Sequence, residues 1–296
     1  MPIRPLVVHF ATFAARPDGE ADDRLAVPAL TALGIETVLA PWDAPWPRAD
    51  APDAVVVRST WDYFRRIADF RAWLDALDAA GQRTINDTAA MRGNLDKRYL
   101  RDLAAAGVPV VETAWPAPGD RLADVLAARG WREAVVKPAV SGGAYETFRV
   151  SVPTERTAQD ADEAHFAALL DSGAVLVQPF RREVVEAGEW SLIFLGGAFS
   201  HAVVKRPAAG DYRVQVQFGG VYTRTDAPDA LVGAARAVLA AAGADGLAYA
   251  RVDGLARADG GLDLMELEVV EPSLFLAHHP DAPARLARAL ADRLGA

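Results

Sequence analysis

The chain has no cysteine. That excludes disulfides, thiolate catalysis and zinc–thiolate centres, and leaves oxygen ligands as the leading metal donors. Long apolar runs are missing as well. Nothing approaches the roughly 20 residues of a membrane span. The N-terminal run Leu6–Phe10 has only strand length, contains His9 and leads into Arg16-Pro17-Asp18-Gly19, not into a small-residue cleavage site. A cytoplasmic protein with no membrane partner is the expectation. Positive charge is in deficit: 31 Lys and Arg against 40 Asp and Glu give a net charge of −9, which repels nucleic acid and anionic membrane. There is no G-x-G-x-x-G fingerprint, no P-loop, no internal repeat and no low-complexity linker.

What remains is ordinary globular composition over 296 residues, enough for a large core and two or three subdomains. Strands are expected at Leu6–Thr12, Ile35–Ala40 and Ala54–Val57, with helices at Asp22–Leu33 and Phe64–Ala79. Strands alternating with helices imply a parallel α/β sheet with right-handed crossovers. Ligands of such sheets sit at the carboxyl ends of the strands. The segment Arg58-Ser59-Thr60-Trp61-Asp62-Tyr63 follows the third strand, so it reads as a substrate-contact loop. In the alternative, Trp61 and Tyr63 pack under the next helix and Asp62 caps it.

Further along, Asn94 fits an N-cap for a helix over Leu95–Ala106, which puts Lys97 in its first turn. A cation there opposes the helix dipole, which suggests a ligand phosphate; the alternative is a solvated lysine. Strands are expected at Val108–Thr113, Ala134–Val136, Arg149–Val152 and Ala174–Val177, with helices at Leu122–Arg129 and Asp162–Leu170. The second of these strands delivers Lys137 to the glycine loop Ser141-Gly142-Gly143, which can cradle phosphates with backbone N–H groups. The last ends in Gln178-Pro179-Phe180, where proline, lacking an N–H, should leave the sheet and free backbone groups for a purine edge. A hairpin from Glu189 turns at Gly196-Gly197 and ends at Lys205; helices at Leu231–Ala242 and Ala282–Leu294 follow.

The central stretch runs from Tyr249 to Leu276, with two apolar-rich segments separated by Ala258-Asp259-Gly260-Gly261. A two-residue Asp-Gly turn makes Asp253 face Glu266 and Arg251 face Glu268, all on one side of the hairpin, with Met265 and Leu267 on the other. Opposed carboxylates destabilise a bare sheet, so this face wants a hard cation, magnesium or manganese. A three-residue turn would break the face. The alternative is a solvated acidic hairpin.

Taken in order, these motifs resemble the ATP-grasp superfamily, which includes glutathione synthetase and D-alanine–D-alanine ligase. The resemblance covers roughly Asn94 to Leu276. It implies α/β architecture, α+β in the ATP-binding part, with a parallel-sheet N-terminal domain at residues 1–92 and ATP-grasp subdomains at 93–180 and 181–296. It further implies that Lys97, Lys137, Ser141, Gly142, Gly143, Gln178, Pro179, Phe180 and Glu189 bind ATP. Lys205, Arg213 and Arg251 would stabilise the transferring phosphoryl group, and two magnesium ions would sit on Asp253, Glu266 and Glu268. Substrate contacts would come from Arg58, Ser59, Trp61, Asp62, Tyr63, Gln215, Gly219, Gly220 and Ser273. Two residues depart from the family pattern: Gln215 stands in place of the asparagine of R-x-N, and Glu268 in place of that of E-x-N. The Arg58–Tyr63 loop, together with the ending Glu271-Pro272-Ser273-Leu274-Phe275, looks most like the antibiotic-forming cyclo-ligases that convert O-ureido-serine to cycloserine. The implied reaction is activation of a small carboxylate as an acyl phosphate, then attack by an amine. A nucleotide-binding module without turnover, a carboxylate kinase and a homo-oligomeric state stay open, and His278-His279 reads as structural.

Overall fold

A computed structural model describes residues 4–44, 51–152 and 156–296, which form three sheets. The first is wholly parallel. It contains β1 (Leu6–Thr12), β2 (Ile35–Pro41), β3 (Ala54–Val57) and β4 (Thr84–Ile85) in the order β2-β1-β3-β4. Its central strands are apolar runs because helices lie against the sheet. Among these are α1 (Ala21–Thr31) and α2 (Ile67–Ala79), which bury Leu30 and Phe70 respectively. A 3-10 turn over Tyr63–Arg65 precedes α2, so the helix starts later than the sequence suggests.

Two short helices, α3 (Thr88–Asn94) and α4 (Tyr99–Ala105), lead out of this sheet. Here an expectation fails. Asp87 caps α3 through Ala90 N–H at 2.8 Å, so Asn94 ends a helix instead of starting one. The Asn94 amide bridges instead to the backbone of Leu267 and Val269, and Lys97 lies between the two helices with its N–H on Ala139 O at 2.9 Å. The dipole argument for Lys97 therefore lapses. Val108–Thr113 is also no strand. It makes single bridges, Val110 to Leu264 and, just beyond it, Ala114 to Val177.

The second sheet is antiparallel. β5 (Glu133–Pro138) sits between β6 (Phe148–Ser151) and β7 (Val175–Pro179), with α5 (Leu122–Arg129) and α6 (Arg156–Ser172) packed on it around Phe166. Pro179 does not leave this sheet. It is the last residue of β7, opposite Ala134, where its missing N–H costs nothing.

After α7 (Glu183–Glu186) comes the third sheet, antiparallel, in the order β10-β9-β8-β11-β12. Its strands are β8 (Glu189–Leu195), β9 (Ala198–Arg206), β10 (Val221–Arg224), β11 (Tyr249–Ala256) and β12 (Leu262–Glu268). The edge strand β10 was not expected. The helix α8 (Asp229–Ala241) packs on one face, and α9 (Ala282–Leu294) joins Leu286 and Leu290 to the core of the first sheet through Val8 and Phe10. Asn94 pins the end of β12 by donating to Leu267 O at 2.8 Å and accepting from Val269 N–H at 3.0 Å. No helix among the described residues is long and apolar enough to cross a membrane.

Candidate active site

The three sheets border one cleft of about 770 Å³. Its floor is the β11–β12 hairpin. Arg251 pairs with Glu268 and Asp253 with Glu266, the register that a two-residue turn requires. The turn, however, has three residues. Arg257 N–H donates to Gly261 O at 2.9 Å and encloses Ala258, Asp259 and Gly260, with Gly260 at φ +84°. This slips the outer pairs by one, so Ala256 meets Leu262 and Gly254 meets Leu264. A bulge between Asp253 and Gly254 slips the register back, with Met265 as the extra residue. The two shifts cancel at the carboxylates. Met265 is consequently turned to the cleft side, beside Val184, Val214 and Leu255, and not away from it as expected.

The carboxylates share a face, but each is turned onto a base. Asp253 accepts from Ser191 Oγ at 2.5 Å, from Lys205 at 3.1 Å and from Arg251 at 2.9 Å. Glu189 pairs with Lys205 at 2.6 Å, and Glu266 with Lys97 at 3.1 Å. Glu268 pairs with Arg251. Lys97 also donates to Ser141 O at 2.7 Å, tying the glycine loop to the floor. Lys137 is half-buried at the end of β5, without an ion pair among the described residues. Burial lowers its pKa, against the pull of Glu266.

These neighbours set unequal proton affinities. Burial pushes the Asp253 carboxyl up, but Arg251 and Lys205 outweigh it and hold the group well down. Burial likewise raises Glu266, and Lys97 and Lys137 reverse the sign. Glu268 is pushed up to about 8 by burial and by Glu266 and Asp253, with Arg251 opposing. Glu271 rises to about 7, chiefly by burial, with Lys97 opposing. Among the described residues no three acidic or imidazole groups converge on one point. Even so, the donor set fits a hard divalent cation. It is all oxygen, supplied by Asp253, Glu189, Glu266, Glu268 and Glu271.

The walls hold most of the other expected residues. Ser141, Gly142 and Gly143 line one side, where Gly143 (φ +59°) turns the loop and Gln217 donates to its carbonyl at 3.2 Å. Gln178, Pro179 and Phe180 line another, with the Gln178 amide on Thr113 Oγ1 at 3.0 Å. Arg213 faces the cleft but is held by Asp211 at 2.8 Å and stacks on Phe218. Gln215 and Ser273 also line it, and Gln215 Oε1 is buried without a partner.

Five expected substrate contacts lie elsewhere. Arg58 is 3% exposed and bound to Asp23 at 3.1 Å, and Ser59 Oγ donates to the same carboxylate at 2.7 Å. Asp62 accepts from Trp42 Nε1 at 2.8 Å and from Arg66 at 2.6 Å. Gly219 and Gly220 close a turn; a Cβ on Gly220 would lie 1.9 Å from Val214 O. Of the loop after β3, Trp61 and Tyr63 do border the cleft, although Tyr63 is mostly packed against Phe70 at a ring distance of 4.9 Å.

Sequence reading missed Ser191, Met265 and Glu271, and also Phe13, Arg16 and Glu20 on the β1–α1 loop, which close the cleft from the first sheet. Ser191 was within reach, because it alternates with Glu189 on β8 and lies opposite Asp253. Glu271 follows the strand in a loop, where no periodicity marks it. A smaller hollow of about 360 Å³ beneath α5 and α6 carries no comparable array of charge.

Three comparisons bear on this arrangement. Residues 8–86 match the family model described as the N-terminal domain of D-cycloserine synthetase DcsG. The cycloserine biosynthesis protein DcsG of Streptomyces lavendulae is 38% identical over 277 residues, 88% of this chain and 90% of that protein. The crystal structure of D-cycloserine synthetase DcsG superposes with a TM-score of 0.83 at 34% identity, covering 97% of this chain and 99% of that one. D-alanine–D-alanine ligase from Bacillus anthracis shares the fold at a TM-score of 0.66 and 14% identity, over 98% and 97% of the two chains.

Proposed function

The chain belongs to the family of D-cycloserine synthetase DcsG within the ATP-grasp ligases, and we propose that its cleft activates the carboxylate of a small amino-acid-like substrate, O-ureido-serine being the first candidate, for ring closure by a nitrogen of the same molecule. It is an ATP-dependent carboxylate–amine ligase. The observation that carries the finer reading is the placement of Lys97, Lys137, Lys205 and Arg251 around Asp253, Glu266 and Glu268 on one floor.

Phosphoryl transfer asks a protein for positioning and charge neutralisation more than for covalent help. In this reading Lys97 and Lys137 hold the nucleotide phosphates, with the N–H groups of Ser141–Gly143 above them. Gln178–Phe180 and Met265 enclose the base, and Glu189 takes the ribose. Asp253, Glu266 and Glu268 would hold magnesium, which when bound neutralises charge on the phosphate oxygens. Such help is needed because a triphosphate brings negative charge beside the Asp253 and Glu266 carboxylates. Arg251 presents a planar fork to the oxygens of the transferring group or the acid, and Ser191 keeps Asp253 oriented. The acid attacks the terminal phosphorus, ADP leaves, and a nitrogen then displaces phosphate from the acyl phosphate. The Tyr145 ring, just beyond the glycine loop, lies tilted 5.2 Å from Phe64 in the turn before α2, and helps to exclude water that would hydrolyse that intermediate.

The test is ADP release over a set of small amino acids and carboxylates including O-ureido-serine, with the mass of the product. Acid-dependent ADP release with an amide or cyclic product supports ligation; from O-ureido-serine, closure to cycloserine also releases the carbamoyl group as ammonia and carbon dioxide. Accumulation of a phosphorylated acid supports a kinase, and binding of ATP without release supports a nucleotide-binding module.

A further inference from the structure

The segment Glu271–Leu276 carries Ser273 into the cleft, and its backbone is held from almost every side. Trp61 Nε1 donates to Glu271 O at 3.1 Å and Arg58 to Pro272 O at 3.3 Å. Arg251 donates to Ser273 O at 2.9 Å, and His201 Nε2 lies 3.0 Å from Leu274 O and 3.1 Å from Phe275 O. Those contacts take up the carbonyl groups. The N–H groups are taken by one side chain. Asp22, in the first turn of α1, accepts from Leu274 N–H at 2.6 Å, Phe275 N–H at 2.9 Å and Leu276 N–H at 2.8 Å.

Three N–H groups aimed at one carboxylate form an anion nest, and charge-assisted hydrogen bonds are roughly twice as strong as neutral ones. This nest sits where the chain is locally unfavourable: Phe275 has φ +52°, a conformation that side chains other than glycine seldom adopt. The Phe275 ring in turn lies beneath the Arg251 guanidinium at 5.3 Å. Asp22 therefore reaches Arg251 by two routes, through Ser273 O and through the Phe275 ring, although it belongs to the first sheet's helix and Arg251 to the third sheet.

We infer that Asp22 is a positioning residue, which fixes the Ser273–Leu276 strap so that Ser273 and Arg251 meet the acid substrate. The inference rests on the ligase reading above. It assigns to α1 a part in acid recognition that its sequence, a helix start with two adjacent aspartates, does not reveal. Its neighbour Asp23 has a different task, holding Arg58 and Ser59, and Arg58 returns to the same strap at Pro272.

Asp22→Asn keeps the size of the side chain but puts an NH2 where an acceptor is needed; Asp22→Glu keeps both oxygens. With the full chain, hydrogen exchange of the Leu274–Leu276 amides needs no substrate. Exchange at least tenfold faster in Asp22→Asn supports the clamp, and unchanged exchange overturns it. Steady-state ADP release with O-ureido-serine then separates positioning from folding. The expected result is a KM for the acid raised about tenfold or more, an unchanged KM for ATP, and partial recovery in Asp22→Glu. A fall in ATP affinity equal to the loss for the acid, or unchanged acid kinetics, overturns the positioning role. If the unsubstituted protein releases no ADP with any acid, the ligase reading fails, and the exchange experiment alone judges the clamp.

Discussion

Glu266 lies opposite Asp253 across the hairpin, and each is held by a different lysine: Lys97 reaches Glu266 at 3.1 Å from the link between α3 and α4, and Lys205 reaches Asp253 at 3.1 Å from β9. Two carboxylates that would repel across a bare sheet are thereby made neighbours in one lattice of charge. The cleft depends on that pairing, and the pairing depends on a bulge.

Gly254 is the residue that makes the bulge possible. A Cβ there would sit 2.5 Å from Asp263 O and 2.8 Å from Leu262 Cδ1. Gly254→Ala should destabilise the protein by about 1–3 kcal/mol, the usual cost of forcing a methyl into a packed site. It should also lower ligase activity beyond what the loss of folded protein explains, because the register at Asp253 and Glu266 shifts. Denaturant melts and activity per folded molecule check this; wild-type values for both would mean that the bulge does not set the face.

This hairpin also shows what the sequence could and could not reveal. The partners Arg251–Glu268 and Asp253–Glu266 followed from Asp-Gly between two apolar-rich segments. The turn length and the bulge did not, since each leaves the alternation ambiguous and their effects cancel. The glycine loop, Lys137 and Gln178–Phe180 were legible because strand ends deliver them. Arg58, Ser59 and Asp62 misled. Their density of polar groups reads equally as a substrate loop or as a buried network, and only the position of Asp23 and Trp42 decides between the two.

Glu268 tests the metal face. Its carboxyl, pushed up to about 8 by burial and by Glu266 and Asp253, is the group most relieved by an added cation. Magnesium alone should raise the melting temperature, since a ligand that binds only the folded state stabilises it by mass action. Glu268→Asn should shrink that gain while leaving measurable activity. An equal response of the two proteins to magnesium would place Glu268 outside the site.

His201 gives a pH dependence away from the floor. Burial lowers its pKa from 6.5 to about 4, with the carbonyl groups of Phe275 and Leu274 opposing. A depressed histidine binds its proton more weakly folded than unfolded. Its contribution is complete above pH 6.5 and is lost as pH falls from there towards 4, by up to roughly 3 kcal/mol. His201→Gln should flatten that part of the stability profile. A slope unchanged between pH 6.5 and 4 in the variant would assign it to other groups.

Lys137 should separate nucleotide from acid. It lies at the end of β5 beside the glycine loop, half-buried and without an ion pair among the described residues. Lys137→Ala should weaken ATP binding by about tenfold or more, the effect of losing one charge-assisted contact. Its effect on the acid substrate should be much smaller. Calorimetry with a non-hydrolysable nucleotide reads this directly, and unchanged affinity would remove Lys137 from the phosphate site.

The central claim is that the hairpin carboxylates make the cleft competent for phosphoryl transfer to an acid. Glu266→Gln addresses it with little change of shape, leaving Lys97 a neutral partner. In saturating ATP, magnesium and acid, ADP release by this variant should fall by about 100-fold or more, the scale of losing one preorganised electrostatic group, while its melting temperature stays near that of the parent protein. ADP release at the parent rate from a folded Glu266→Gln protein would contradict the account.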